Sequence, residues 1–172
     1  MSNVKSASPK HPPAWFMHTF WRAHRLAYRF SGGRFLWTPS SKHGWGALHL
    51  TTIGRVSGRE RGVILGYIEE GPNLVTLAMN GGEEGHPAWW RNLEAHPSAV
   101  VRLAHEGPRP VHARPAVGDE RERLWARWVA IDPHHDEYAA HRSTPIVVVV
   151  LEPLPAARTD AVATSAATIA MV

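Results

Sequence analysis

The sequence predicts a mainly β protein with inserted helices, folded as a small closed or split barrel of six mostly antiparallel strands. Six segments have the residue pattern of strands, and the clearest of them alternate apolar with polar residues. A short turn at residues 70–73 joins two of these segments as an antiparallel hairpin. Barrel closure also removes the exposed edges that six strands otherwise leave. A chain of 172 residues fits one such core.

The chain before the barrel divides into a leader and a helix. Residues 1–13 carry too few apolar groups to offset the entropy of ordering, so we expect a mobile leader. Apolar residues then recur at three- and four-residue steps as far as Phe30, which predicts an amphipathic helix. Two interpretations stay open. The helix packs its apolar stripe on the barrel, which we favour, or it makes a peripheral contact with a membrane interface.

The barrel segments follow in order. Residues 47–53 alternate Leu48 and Leu50 with polar neighbours, as a half-buried strand does. Residues 145–151 include four consecutive valines, which is typical of a strand buried on both faces. Helices are predicted over 87–95 and 120–131, each ended by a following proline. The other predicted strands are 61–69, 74–79, 98–103 and 111–116. Residues 14–153 thus form one domain, and residues 154–172 a flexible tail.

Composition removes several classes of function. Because the chain has no cysteine, it has no disulfide, thiolate metal site or cysteine nucleophile. The net charge of +4 suits an anionic partner, but the basic residues are not interleaved with aromatic residues in a nucleic-acid-binding stripe. The N-terminal region has no apolar run of a signal peptide. We therefore expect a cytoplasmic protein that does not bind nucleic acid, membrane-associated only if the N-terminal helix meets lipid.

A first candidate site is the turn between the strands predicted at 47–53 and 61–69. Gly54 and Gly58 allow close approach of a ligand to the backbone N–H groups. Arg55, Arg59 and Arg61 add forked donors suited to phosphate or carboxylate. The pattern indicates a cradle for an anion. The alternative, an exposed hairpin whose arginines maintain solubility, stays open on composition alone.

A second candidate site is the glycine-rich segment at 80–85, which runs into the helix predicted at 87–95. Its backbone amides suit an anionic or carbonyl-bearing ring, and an indole would provide a flat wall. In the alternative interpretation Trp89 and Leu93 belong to the core, which their helical spacing favours, and the glycines only form a turn.

Three segments in order resemble the deazaflavin-dependent nitroreductase-like oxidoreductases. They are Leu50-Thr51-Thr52-Ile53-Gly54-Arg55-Val56-Ser57-Gly58, then Asn80-Gly81-Gly82, then His86-Pro87-Ala88-Trp89-Trp90-Arg91-Asn92-Leu93-Glu94-Ala95-His96-Pro97. The resemblance covers roughly residues 15–153. It implies a split β-barrel of the FMN-binding type, with coenzyme F420 as the cofactor. Members often have lysine where this chain has Val56, and some have Ser-Lys where Met79-Asn80 stand.

The resemblance also implies roles for individual residues. The phosphate and carboxylates of the cofactor tail would bind Arg55, Ser57, Arg59 and Arg61, and the ring would lie along Met79, Asn80, Gly81 and Gly82. The full set of cofactor-binding residues expected here adds Thr52, Gly58, Trp89 and Asn92. Because members place tyrosines near the substrate after the second long helix, Tyr138 is expected as substrate wall or proton donor, followed by His135.

The resemblance predicts an enzyme that transfers a hydride from reduced deazaflavin to a hydrophobic electrophile such as a quinone, enone or nitroaromatic. Two alternatives remain: an FMN-dependent reductase, and a non-catalytic barrel that carries a cofactor or lipid. A metal site among His134, His135, Asp136 and His141 is not expected, because adjacent histidines point in different directions. The sequence leaves the physiological substrate and the oligomeric state open.

Overall fold

Six strands close into an antiparallel barrel, as the alternating segments predict. A computed structural model describes residues 36–39 and 44–155, so the predicted leader, N-terminal helix and most of the tail lie outside the described residues. The strand order around the barrel is β1-β2-β3-β6-β5-β4, and β4 pairs again with β1. The strands are β1 (Gly46–Ile53), β2 (Glu60–Glu70), β3 (Asn73–Ala78), β4 (Ser98–Arg102), β5 (Arg109–Pro115) and β6 (Val147–Pro153).

Three helices lie between the strands. They are α1 (Ala88–Ala95), α2 (Gly118–Ile131) and α3 (His134–Ala140), and a 3-10 turn covers Asn80–Gly82. The sequence predicted α1 and α2 to within two residues but missed α3. That helix has seven residues and follows α2 directly. Its histidines and acidic residues give no apolar stripe, which is the signal that identifies the longer helices. None of the described helices combines the length and the apolarity needed to cross a bilayer.

The barrel interior is filled by residues from all six strands and from α1. Leu48 and Leu50 of β1 are completely buried there, in accordance with the alternation seen in the sequence. At one end of the barrel α1 contributes Trp89, Trp90 and Leu93 to the same cluster. This helix is therefore part of the core, and its position is fixed by the burial of large apolar side chains.

A second apolar layer lies outside the barrel, where α2 covers β2, β3 and β6. Val148 and Val150 of β6 face this layer, while Val149 and Leu151 face the interior. The predicted burial of β6 on both faces is thus confirmed. Leu124 and Trp128 of α2 complete the outer cluster.

The alternating strand directions place three connections at one end of the barrel. Because every pairing is antiparallel, β1 and β3 end at the same side, and β6 begins there. This end therefore carries the β1–β2 connection at 54–59, the segment at 79–85 after β3, and the segment at 141–146 before β6. Both candidate sites found in the sequence belong to these connections.

Candidate functional site

The connection between β1 and β2, which we call the arginine loop (residues 54–59), has a defined backbone. Gly54 N–H donates to the carbonyl of Arg59 at 2.8 Å, and Gly58 N–H donates to the carbonyl of Gly54 at 2.7 Å. Gly58 has a φ of +64°, in the left-handed region that favours glycine. The hydroxyl of Ser57 accepts from Arg59 N–H at 3.4 Å and from Arg61 Nη2 at 3.5 Å. The predicted turn residues are therefore brought together.

Asn92 of α1 holds the arginine loop through a hydrogen bond to its backbone. The amide oxygen of Asn92 accepts from Arg55 N–H at 3.1 Å, and its amide nitrogen donates to Thr52 Oγ1 at 3.1 Å. Thr52 in turn donates to the carbonyl of Arg61 at 3.4 Å. Asn92 is only 5% exposed and Thr52 only 1%. Both were predicted to bind cofactor, and the structure places both beneath the loop, where they support its backbone.

The side chains of Arg55 and Arg59 in this loop, and of Arg61 at the start of β2, are exposed. Within the part of the chain that the structure describes, Arg55, Arg59 and Arg61 form no ion pair with a carboxylate. Val56, which stands at the position of a frequent lysine, is 88% exposed. Three guanidinium groups thus lie on one short segment without an internal counterion, which is a donor set suited to a ligand with several negative charges.

The segment after β3, which we call the glycine loop (residues 79–85), has two consecutive residues with positive φ. Asn80 has a φ of +53° and Gly81 a φ of +64°. Asparagine tolerates this region better than most residues, and glycine occupies it without strain. The Asn80 side chain donates to the carbonyl of Glu84 at 3.1 Å, which closes the turn. A Cβ added at Gly81 would have no described atom within 4 Å, so its backbone is open to close approach.

Two charged residues that the sequence analysis did not select hold the glycine loop. Arg142, which precedes β6, donates to the carbonyls of Met79 and Gly85, each at 2.9 Å, and to that of Glu83. The carboxylate of Glu84 accepts from Ser143 N–H at 2.8 Å and from Ser143 Oγ at 3.1 Å. These hydrogen bonds lower the pKa of Glu84 to about 2. The partners lie 57–63 residues apart, so no local pattern could have indicated them.

The two predicted catalytic residues lie on α3. Tyr138 is half-buried, four residues before Arg142. His135 is buried between the helices, with its ring centre 5.6 Å from that of Trp128, and its Nδ1 lies 2.7 Å from the carbonyl oxygen of Asp132. The structure therefore places His135 against α2, and no described hydrogen bond joins it to the glycine loop.

The histidines around α3 do not converge. His134 pairs with Asp132 at 2.8 Å, which raises its pKa, and His141 Nδ1 lies 2.7 Å from the carbonyl oxygen of Glu137. Across residues 36–39 and 44–155, no group of three or more histidine or acidic side chains is arranged to hold a metal ion. Trp89, the remaining predicted cofactor residue, is 8% exposed in the barrel core. It occupies the position that its helical spacing favoured.

Known proteins similar to this chain identify its family. Residues 20–153 match the family model of the F420H(2)-dependent quinone reductases. An F420H(2)-dependent quinone reductase of Mycobacterium tuberculosis is 30% identical over 139 residues, covering 76% of this chain and 87% of that protein. A solved F420-H2-dependent reductase is 32% identical, with a TM-score of 0.55 over 62% of this chain and 93% of its own. A solved domain-swapped dimer is 27% identical, with a TM-score of 0.58 over 81% of this chain and 100% of its own.

The barrel and its relatives define an oxidoreductase that depends on a deazaflavin. The chain belongs to the F420H(2)-dependent quinone reductase family, and coenzyme F420 is its cofactor. The residues present fit this group. Its phosphodiester and glutamate tail match the guanidinium groups of Arg55, Arg59 and Arg61, which form no ion pair with a carboxylate of the described residues. A Cβ added at Gly58 or Gly81 would have no described atom within 4 Å, so a ligand has room to approach both backbones.

Proposed function

We propose that this protein transfers a hydride from reduced coenzyme F420 to a quinone, and that other hydrophobic electrophiles, such as enones and nitroaromatics, are further substrates. One observation carries the proposal: the arginine loop is bonded through Asn92 to α1, the helix that follows the glycine loop. One helix thus links the loop suited to an anionic tail with the loop suited to a ring. When bound, the reduced deazaflavin supplies the hydride.

The arginine loop would bind the tail of the cofactor. Arg55 and Arg59 are exposed, and Arg61 is oriented by its hydrogen bond to Ser57. Their charges attract the phosphodiester and the tail carboxylates, and the backbone of Gly58 leaves room for close contact. Binding of this kind is salt-dependent, because exposed charges are screened over about 8 Å at physiological ionic strength.

The glycine loop would orient the ring, and α3 would border the substrate. The ring would lie along the backbone of Met79, Asn80, Gly81 and Gly82, which follow β3 at this end of the barrel. Tyr138 is half-buried on the helix that leads to the Arg142 anchor. A phenol at that position can pack against a hydrophobic electrophile and donate a proton to its oxygen after hydride transfer. No protein nucleophile is needed for this chemistry.

Titration with F420, followed by quenching of tryptophan fluorescence, tests the binding part of the proposal. Arg55→Ala and Arg59→Ala should each raise the Kd about five- to tenfold, since loss of about 1 to 1.4 kcal/mol corresponds to such a change. Arg102→Ala is the matched control, because Arg102 is exposed on β4 and lies outside the arginine loop. Saturable binding that neither loop variant weakens would contradict the assignment of the tail site.

Oxidation of reduced F420 by a panel of quinones tests the catalytic part. The rate of turnover should rise with the quinone concentration. A rate at least tenfold lower in Tyr138→Phe, with F420 affinity unchanged, supports Tyr138 as the proton donor. Tyr138→Phe that keeps full activity removes the proton-donor role and leaves only that of a wall. Tight F420 binding without oxidation by any quinone, enone or nitroaromatic would contradict the reductase proposal and support a carrier instead.

A further inference from the structure

Arg142 binds three backbone carbonyls of the glycine loop at once. Its guanidinium donates to Met79, Glu83 and Gly85, so it contacts the loop at its start, near its middle and at its end. Its Nε also donates to the carbonyl of Thr144 at 3.3 Å, which fixes the side chain on its own segment. A planar fork with five N–H donors is suited to this arrangement, whereas an ammonium group is not.

A second anchor runs in the opposite direction. The Glu84 carboxylate, which belongs to the glycine loop, accepts hydrogen bonds from Ser143 N–H and Ser143 Oγ. It also accepts one from Thr144 N–H at 3.3 Å. The loop therefore holds the segment before β6 through a carboxylate, and that segment holds the loop through a guanidinium. Hydrogen bonds to charged groups are stronger than neutral ones, so the two anchors together fix the loop in one position. We call Arg142 and Glu84 the loop clamp.

Most of the glycine loop lies outside the regular hydrogen bonding of the barrel. It begins beyond the last strand pair of β3, where Met79 packs against the outer apolar cluster, and its described internal hydrogen bonds are the 3-10 turn and the bond from Asn80 to Glu84. Asn80 and Gly81 have backbone conformations that a free chain populates only in part. Loops with few packed contacts open at low free-energy cost.

We propose that Arg142 and Glu84 are positioning residues for hydride transfer: they hold the glycine loop and the segment that directly follows α3 as one unit, so that ring and electrophile keep a fixed separation. The proposal rests on the proposed function, in which the glycine loop orients the ring and α3 borders the substrate. Misplacement of reacting groups by about 1 Å can reduce a rate about a hundredfold. The clamp should therefore affect the rate of transfer more than the affinity for the cofactor tail.

Hydrogen exchange in the protein without cofactor tests the clamp independently of activity. Arg142→Ala should speed exchange of the amides at 79–85 at least tenfold while leaving the arginine loop unchanged, and Glu84→Gln should have a smaller effect in the same segment. Arg142→Lys should restore part of the protection. Arg114→Ala is the matched control, because Arg114 also bridges two segments, through Glu120 and Glu152, but lies outside both loops.

Kinetics with F420 and a quinone complete the test. Arg142→Ala should lower kcat at least tenfold and change the Kd for F420 less than threefold, and Arg142→Lys should recover part of kcat. Unchanged exchange at 79–85, or a global increase in exchange equal to that of Arg114→Ala, would overturn the proposal. So would an unchanged kcat. If the wild-type protein neither binds nor oxidises F420, the proposed function fails, while the exchange data still report on the clamp.

Discussion

Replacement of Asn92 by alanine should lower the free energy of unfolding and also loosen the arginine loop. The change removes two hydrogen bonds of 3.1 Å, one to Arg55 N–H and one to Thr52 Oγ1. Each is worth about 1 kcal/mol net, and the cost rises where a buried partner loses its bond. Thr52 is 1% exposed, whereas the exposed Arg55 can bind water. We therefore expect a loss of about 2 to 3 kcal/mol in the free energy of unfolding.

Urea denaturation followed by tryptophan fluorescence measures this loss, and an F420 titration of the same variant should show weaker binding, because the backbone of Arg55 is no longer held. Glu94→Ala is the control, since Glu94 is an exposed residue of the same helix. Thr52→Val keeps the bond from Arg55 N–H to Asn92 but removes the second hydrogen bond, together with the one that Thr52 donates to the carbonyl of Arg61. A double-mutant cycle between Asn92→Ala and Thr52→Val should give a coupling of about 1 kcal/mol. A coupling near zero, or an Asn92→Ala loss no larger than that of Glu94→Ala, would refute the reasoning.

Three further predictions concern backbone strain, charge and packing. Gly58→Ala should cost about 1 kcal/mol in urea denaturation, because φ is +64° while no described atom crowds the new Cβ; a neutral result would contradict the assigned backbone. The folded-state pKa of Glu84 is about 2, below its ordinary 4.5, so its stabilisation is complete above about pH 4.5 and lost as the pH falls toward 2. Glu84→Gln should remove the part of the acid dependence that comes from this carboxylate. An acid denaturation profile equal to that of the wild type would exclude this contribution of Glu84. Leu124→Ala, at a residue with 0% exposure, should cost about 3 kcal/mol and leave the F420 titration unchanged; weaker F420 binding would contradict the separation of the outer layer from the site.

The fold could be predicted from the sequence because its signals are local and repeated. Alternation in β1 and the run of valines in β6 each identify a strand and its buried faces. The family resemblance then identified the barrel type. The small helix α3 was missed because its buried residue, His135, packs on Trp128 of another helix, a contact that leaves no periodic pattern in its own seven residues.

The candidate site could be predicted in part, and the reason again lies in sequence separation. The arginine loop is contiguous, so its residue types revealed it. The hydrogen bond from Asn92 to the arginine loop depends on a partner 37 residues away, so the resemblance that placed Asn92 among the cofactor residues gave no sign of this support. The loop clamp is the extreme case. Arg142 and Glu84 have partners about 60 residues distant and stand in segments that look like ordinary polar loops.

The position of α1 explains how the arginine loop is held in place at the end of the barrel. Trp89, Trp90 and Leu93 are buried in the interior, so α1 cannot shift without exposing core surface. Asn92, on the same helix, holds the arginine loop against this fixed helix through its hydrogen bond to the backbone of Arg55. Among the described contacts of the glycine loop, Met79 packs against the outer apolar cluster, and Arg142 and Glu84 bond the loop to the segment before β6. The arginine loop thus derives its stiffness from the hydrophobic core, whereas charged hydrogen bonds at the surface contribute more to that of the glycine loop. Acid or an Arg142 substitution should consequently loosen the glycine loop before the arginine loop.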